Sequence, residues 1–385
     1  MGCYRETWKL FKRLNCTGSF QTIDPLRLSW LLNGGQKVSL QCAPLPAPFH
    51  LILGLFTTNA FSWKEKLSLT KALMCFSKKP FKINPEVKTI SQFMNFTCQG
   101  PRSRELFWIP LCNAVMNVSV DVAPLQGFGE VLHRVFFGSR HDSSLVLANK
   151  PLSEIGFKEI PAYLENRQGY VHFHEGVQLF KVSTDTFELT TRSGQTYSGD
   201  ALIWAVPPVS LTALWPADNW EAIQLLPQLG KSPILSVHLI VSKLLIHEQL
   251  VGLSGGRFEW VFNRNANWNY PCKGQYLSLV ASAAESLSRQ SEKELVDFAV
   301  QELKDRLPVS LTWEVLHAKV TREMAATFIW TTETDSFRLP CETLYAHVFL
   351  AGDWTATGLP ATIEGACLSG HRAAEKTWDY LNQNS

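Results

Sequence analysis

Apolar residues recur along this chain with two periods, and the period assigns most of its elements. Trp8, Phe11 and Leu14 fall on one side of a helix predicted over Arg5 to Leu14. Ser291-Glu292-Lys293-Glu294 is a capping box opening a second helix. Its apolar stripe is Leu295, Ala299, Leu303 and Leu307, and Pro308 stops it. Leu152 to Gln168 reads as a helix ending near Gly169. Tyr170 to Val182 alternates like a strand, turns at Glu175-Gly176 and continues as a strand, followed by strands at Phe187 to Thr191 and Ala201 to Ala205. Near the C-terminus, Val348 to Ala351 is a short apolar run suited to a buried strand. Gly352 to Pro360 is a turn-rich loop, and Ile363 to Lys376 is a helix. Ala366, Ser369, Gly370 and Ala373 lie three and four apart on that helix, so they share a face of small residues.

Two stretches lack a clean period. Gln41 to Phe61 is rich in proline and apolar residues and almost uncharged. It reads either as a buried loop with a core helix or as a surface segment that dips into a membrane. Lys64 to Lys82 is basic and helical in pattern, a solvated face or a lipid-headgroup contact. In Leu106 to Val131 the aromatic and Met side chains suit an apolar pocket and a core equally well.

Composition narrows the class. A chain of 385 residues with 45% hydrophobic and 18% charged residues is globular and long enough for two domains. A net charge of +2 gives no argument for a nucleic-acid partner. Nine scattered cysteines, none in a C-x-x-C pair, fit a reducing compartment and carry no zinc signature. Asn95-Phe96-Thr97 and Asn117-Val118-Ser119 match glycosylation acceptors but need a secretory context. The N-terminus runs directly into the first helix, so we expect no signal peptide. No apolar run approaches the ~20 residues of a membrane span. No internal repeat is evident.

Candidate chemistry concentrates at the C-terminal strand, loop and helix. A strand, a glycine turn and a helix start leave free N–H groups and a dipole pointing outward. Asp353 would repel a phosphate there but accepts hydrogen bonds from sugar-like hydroxyls, which suits the ribityl and pyrimidine end of a flavin. The plainer alternative is an ordinary strand-loop-helix with a solvated Asp. Elsewhere the signals are weaker. His172 and His174 would share a strand face and could ligate a metal, but no third ligand is evident, so we expect none. Gly252 to Gly256 matches G-x-S-x-G, yet Phe258 to Phe262 reads as a strand, so the segment is a hairpin-like turn rather than a nucleophile elbow. Gly127-Phe128-Gly129 is the nearest approach to a G-x-G-x-x-G dinucleotide turn. It follows a poor strand, Asp121 to Pro124, and lacks the third glycine.

The stretch GDWTATGLPATIEGA resembles the C-terminal flavin motif of the flavin amine oxidase and phytoene desaturase superfamily. Within it, the resemblance is to the hydroxysqualene dehydroxylases, also called squalene-associated FAD-dependent desaturases. GCYRET near the N-terminus, YVHFHEGVQLFKV leading to AVPP, GLSGGRFEWVFNR and TREMAATF resemble further segments, from Gly2 to about Trp378. TREMAATF departs from that family by placing Met324 and Ala325 where basic residues stand. The resemblance implies an α/β fold: a Rossmann-like FAD-binding domain of the glutathione-reductase type, with an inserted α+β substrate domain. The implied division is 1–145, mostly helical substrate domain; 146–214, middle FAD-binding segment; 215–334, substrate-domain sheet and helix; and 335–385, C-terminal FAD-binding segment. It implies FAD as cofactor, held by Gly352, Asp353 and Trp354, by the helix start at Ala361, Thr362 and Ile363, and by the backbone of Val177 at the adenine. The family's first βαβ unit, with its pyrophosphate-binding turn, has no counterpart here. We therefore expect an N-terminally truncated family member with exposed apolar edges and poor solubility.

The implied reaction is reductive removal of hydroxyl from hydroxysqualene to give squalene. An allylic alcohol would leave as water, and the cation would take hydride from reduced flavin inside an apolar cavity. The residues do not name the acid; Arg322, Glu323 and Asp121 are no more than polar candidates. Alternatives are a carotenoid-type desaturase, an amine oxidase, or a non-catalytic remnant that cannot hold FAD. The implied partners are an isoprenoid lipid, an external electron donor and a membrane surface. The implied location is the cytoplasm, peripheral to the inner face of the membrane.

Overall fold

The computed structural model describes residues 1–156, 158–216, 220–308 and 312–383. The chain forms two compact units. One holds Met1–Cys3, Gly18–Leu152 and Lys231–Ile329; the other holds Tyr4–Thr17, Ser153–Gly230 and Trp330–Ser385. Both the Arg5–Arg13 helix and the 220–230 segment thus pack with the unit that carries the C-terminal motif, whereas the expected division set them in the substrate domain.

The first unit is built on a seven-stranded sheet. Its order is Val315–Thr327, Ser232–Val241, Gln275–Ala281, Trp260–Asn263, Leu250–Leu253, Arg27–Leu31, Lys37–Gln41. Every pairing is antiparallel except Leu250–Leu253 with Arg27–Leu31. Burial alternates along Ser232–Val241: Leu235, Val237, Leu239 and Val241 are fully buried. They pack with Leu295, Ala299 and Leu303, the predicted stripe of the Glu292–Arg306 helix. The capping box at Ser291 and Glu294 forms as expected. One face of the sheet is therefore core and the other is not, the usual condition of an antiparallel sheet.

Several expectations change here. Gly127 and Gly129 lie inside the Leu125–Phe136 helix, so no phosphate turn exists at that point. The G-x-S-x-G run follows strand Leu250–Leu253 and turns back antiparallel into Trp260–Asn263, the hairpin the sequence suggested. The Ser254 hydroxyl is engaged by the Glu105 carboxylate. In the 106–131 stretch, Leu106, Phe107, Trp108, Cys112 and Met116 are buried. Phe76, Phe93, Trp108 and Phe128 stack through ring contacts of 5.2, 5.7 and 6.1 Å, which makes this stretch core. In the 41–61 stretch the Phe49–Thr57 helix buries His50, Leu51, Gly54 and Leu55 but exposes Phe49 and Leu53.

The second unit contains a two-stranded parallel sheet, Leu202–Trp204 with Val348–Leu350. It also has a three-stranded antiparallel sheet of Val177–Val182, Phe187–Thr191 and Thr196–Tyr197. The strand expected from Tyr170 begins only at Val177. His174 has φ 62°, a left-handed value that breaks an extended run, so His172 and His174 share no strand face. Among the described residues no group of three metal-ligating side chains exists. The helix expected from Leu152 splits into a 3-10 turn, Leu152–Glu154, and a helix, Glu159–Glu165. Gly156 between them has φ 77°, which a continuous helix does not allow.

Gly129 exposes why glycine stands in mid-helix. A Cβ there would lie 2.7 Å from the Phe76 ring and 2.9 Å from Phe81. Exchanging a helical glycine for alanine ordinarily stabilises by about 0.5–1 kcal/mol. Gly129→Ala is expected to do the opposite, losing about 1–3 kcal/mol through overpacking. Urea unfolding measures it, and a stabilised variant would refute the packing account.

Candidate functional site

The C-terminal strand ends where its pairing ends. Val348, Phe349 and Leu350 are all buried and pair with Leu202, Ile203 and Trp204. The Ala351 amide donates the last bond, to Trp204 O at 2.8 Å. Gly352 then takes φ 146°, and a Cβ on it would strike the Trp354 indole, so only glycine fits. Its amide donates to Ser369 Oγ at 2.8 Å, tying the turn to the helix Ile363–Gln383. Trp354 itself is buried, and its indole N–H donates to Val206 O at 3.1 Å. That side chain fastens the loop to the segment after strand Leu202–Trp204, leaving only its backbone to a ligand.

Arg338 shapes the rest of the loop. Its guanidinium donates to Asp353 O, Trp354 O, Thr355 O, Thr357 Oγ1 and Leu359 O at 2.6–3.4 Å. It also stacks on the Trp330 ring at 4.5 Å. Burial pulls its pKa down to about 10, which leaves it charged at neutral pH. With five oxygens of one loop turned onto this cation, the loop is closed around it rather than around a ligand.

The loop delivers the helix start. Thr362 Oγ1 accepts the Gly365 amide at 3.2 Å and acts as its cap. A Cβ on Gly365 would lie 2.9 Å from Pro360 O and 3.8 Å from the Asp353 Cβ, so the turn and the helix close tightly at this point. The first-turn amides of Ile363 and Glu364 have no intrahelical acceptor. The Glu364 carboxylate turns away from them. It accepts Glu6 N, Thr7 N and Thr7 Oγ1 at 3.1, 2.9 and 2.8 Å, capping the Arg5–Arg13 helix. Glu6 in turn holds His371 Nδ1 at 2.6 Å. Burial raises the Asp353 pKa above the usual carboxylate range, with Arg338 working in the opposite direction.

Gly352, Asp353, Ala361, Thr362 and Ile363 are thus brought to one corner that offers a carboxylate acceptor beside free amide donors. A flavin presents both hydroxyls and a carbonyl edge, so this donor set fits it. The small-residue face divides: Ser369 and Ala373 are buried, the latter against Phe349 and Ala351, while Ala366 is exposed. Val177 opens a strand of the other sheet in this unit. Its strand packs through Phe180 on the Trp204 ring at 5.2 Å, and Val206 just beyond accepts the Trp354 indole. The polar candidates Arg322, Glu323 and Asp121 lie in the other unit. Arg322 donates to Gln290 O and Asp121 bonds Ser119, both ordinary structural contacts. Sequence reasoning missed Arg338, Ser369 and Glu364, because nothing in FRLPCE, LSGH or TIEG distinguishes a buried polar side chain from a solvated one.

Arg338→Met removes every donor at once and leaves the buried loop oxygens bare. It is expected to cost about 3 kcal/mol or more, and Arg338→Lys to recover little, because an ammonium lacks the planar fork. Denaturant melts of the three proteins check this.

A protein-family model, "Flavin containing amine oxidoreductase", matches residues 1–377. The chain is 29% identical to hydroxysqualene dehydroxylase of Sinorhizobium fredii, over 72% of this chain and 63% of that protein. It is 24% identical to the 15-cis-phytoene desaturase of Glycine max, over 86% of this chain and 61% of that one. It therefore spans less than two thirds of either relative. Cyclohexylamine oxidase from Brevibacterium oxydans shares its fold with a TM-score of 0.68 at 11% identity, covering 98% of this chain and 86% of that one. A putrescine oxidase structure does so at 0.65 and 11% identity, with the same coverage of both chains. The α/β fold, a Rossmann-like FAD-binding unit with an inserted α+β unit, is the fold these enzymes share. The chain belongs to the flavin-containing amine oxidoreductases, a family of FAD-dependent oxidoreductases.

Proposed function

We propose that this chain serves an FAD-dependent reaction on a polyisoprenoid, the reductive dehydroxylation of hydroxysqualene to squalene. The observation that carries the flavin part is the Gly352–Ile363 corner, where the Asp353 carboxylate stands beside a helix start with unclaimed amides. Asp353 would accept from ribityl hydroxyls, and the amides of Thr362 and Ile363 would face the pyrimidine edge. When bound there in its reduced form, the flavin supplies hydride. The helix start favours negative charge beside it. The backbone of Val177 would meet the adenine end. The substrate part is supported by similarity to hydroxysqualene dehydroxylases, at 27% identity over 76% of the chain for that of Rhodopseudomonas palustris. A second reading, phytoene-type desaturation, is supported by the longer coverage of the plant relatives, up to 97% of this chain at 24% identity.

The FAD contacts proposed for these residues lie at the C-terminal corner and at Val177. Asp353→Ala is expected to weaken FAD binding by about tenfold to a hundredfold, the worth of hydrogen bonds to a charged acceptor. Quenching of flavin fluorescence reads it; unchanged affinity would place the flavin elsewhere. Incubating the flavin-loaded protein with hydroxysqualene and with phytoene, each with a reductant or oxidant as needed, separates the two reactions by product.

Such substrates partition into membranes, and the first unit carries a surface suited to one. No helix among the described residues is long and apolar enough to cross a bilayer. Phe49 and Leu53 on one helix, and Trp63, Leu67 and Met74 on the next, are exposed. Phe56 and Trp63 join the two helices at 5.7 Å. Lys64 and Lys71 lie exposed among them, and the one first-turn acid, Glu65, is buried. An apolar stripe edged by lysines is the pattern of a helix that lies in an anionic lipid surface. Co-sedimentation with phosphatidylglycerol vesicles is expected, and Trp63→Ala with Leu67→Ala should weaken it at least about tenfold. Binding that survives this pair of substitutions would exclude the surface.

A further inference from the structure

The sheet of the first unit has a second face, and its register defines what stands there. Lys319 pairs with His238, His238 with Ser278, and Ser278 with Phe262, one row across four adjacent strands. Directly paired residues project to the same side. Their neighbours Leu239 and Leu277 project to the opposite side and are fully buried in the core. The polar row therefore lies on the face away from the core.

Arg264, just after the Trp260–Asn263 strand, turns back over this row. Its Nε donates to Ser278 Oγ at 2.9 Å. Its guanidinium lies over the Phe262 ring at 4.8 Å and the Trp268 ring at 4.3 Å. Ser278, already an acceptor, has its hydroxyl proton free for His238 Nδ1 at 2.9 Å. Tyr276 brings a further hydroxyl to 3.2 Å from the same Nδ1. Tyr270 and Trp268 pack around Tyr276 at 5.4 and 6.2 Å, forming an aromatic shelf beside the cluster.

The charge is one-sided. Among the described residues neither Arg264 nor Lys319 forms an ion pair, and Arg264 donates through Nε, to Ser278 Oγ. Burial pulls the Arg264 pKa down, and burial followed by Arg264 and Lys319 pulls His238 down, with no carboxylate acting on either. A partly buried guanidinium with two basic groups beside it and no carboxylate acting on it is an unfavourable arrangement by itself. An oxyanion on this face reverses its sign.

We propose that Arg264, His238 and Lys319 form a binding site for a phosphate-type oxyanion, with the Trp268–Tyr270–Tyr276 shelf taking an apolar group attached to it. The planar fork of Arg264 and the separate donors of His238, Tyr276 and Lys319 approach from several directions, which matches the several oxygens of a phosphate or diphosphate better than the two of a carboxylate. All of these residues belong to the first unit.

The test is calorimetric titration of the flavin-free chain with inorganic pyrophosphate, inorganic phosphate and acetate at constant ionic strength. Pyrophosphate is expected to saturate one site and acetate to bind far more weakly. Arg264→Gln should weaken pyrophosphate at least about tenfold, and Arg264→Lys should restore part of the loss. Lys319→Ala, at an exposed position, should weaken it about threefold or more without disturbing the fold, and it carries the test should the Arg264 variants not fold. Absence of saturable pyrophosphate binding, equal binding of acetate, or undiminished affinity in the Arg264→Gln and Lys319→Ala variants would overturn the site.

Discussion

The C-terminal corner depends on one buried guanidinium. Arg338 gathers the carbonyls of Asp353, Trp354, Thr355 and Leu359 and the Thr357 hydroxyl onto a single planar group. A connection of twelve residues between the strand ending at Leu350 and the helix starting at Ile363 has many closed conformations, and fixing one costs entropy at every residue. Charge-assisted bonds from one rigid donor select the conformation in which Gly352 meets Ser369 and Thr362 caps Gly365. The carboxylate of Asp353 and the amides of the helix start then hold their positions without a ligand to organise them, which is what a preformed cofactor site requires.

How much of this was legible in the sequence follows from what local pattern encodes. The strand at Val348, the glycine turn and the helix at Ile363 announce themselves through period and punctuation, and the Glu292–Arg306 helix through its capping box and stripe. The Gly252–Gly256 hairpin was readable from the strand that follows it. What failed was read across a break in the backbone. Tyr170 to Val182 alternates convincingly, but His174 occupies a left-handed conformation that no alternation reveals. Leu152 to Gln168 is interrupted at Gly156 for the same kind of reason. In the site itself, the motif residues were visible because the motif is contiguous. Arg338 lies fourteen residues before Gly352, and Glu364 acts on a helix at the far end of the sequence, so neither contact has a local signature.

Glu364 shows how the corner is coupled to the N-terminal helix. A carboxylate in the first turn of a helix ordinarily faces that helix's own dipole. Here it serves the start of the Arg5–Arg13 helix instead, and Glu6 returns a bond to His371, two turns further along the same face. The two helices thereby exchange acceptors, which explains why Tyr4–Thr17 packs with the C-terminal segment and apart from the residues that follow it. It also leaves the amides of Ile363 and Glu364 without the internal carboxylate that would otherwise compete with a ligand.

Two arginines are buried among the described residues and Arg264 is partly buried, and their acceptors separate their roles. Arg338 has the oxygens of a whole loop. Arg306 donates to Glu302 O and Ser254 O and lies 3.9 Å from the Glu302 carboxylate. Both donate to protein oxygens of a turn, with Arg306 Nε buried and left without an acceptor. Arg264 has one hydroxyl and two aromatic faces. The same physical demand, that a desolvated cation find negative charge, is met inside the fold in two cases and left open on a sheet face in the third. A cation held rigid by aromatic packing yet short of acceptors does little for stability. The groups around it, a histidine, a lysine and two hydroxyls, bring no negative charge, so among the described residues no carboxylate answers this cation.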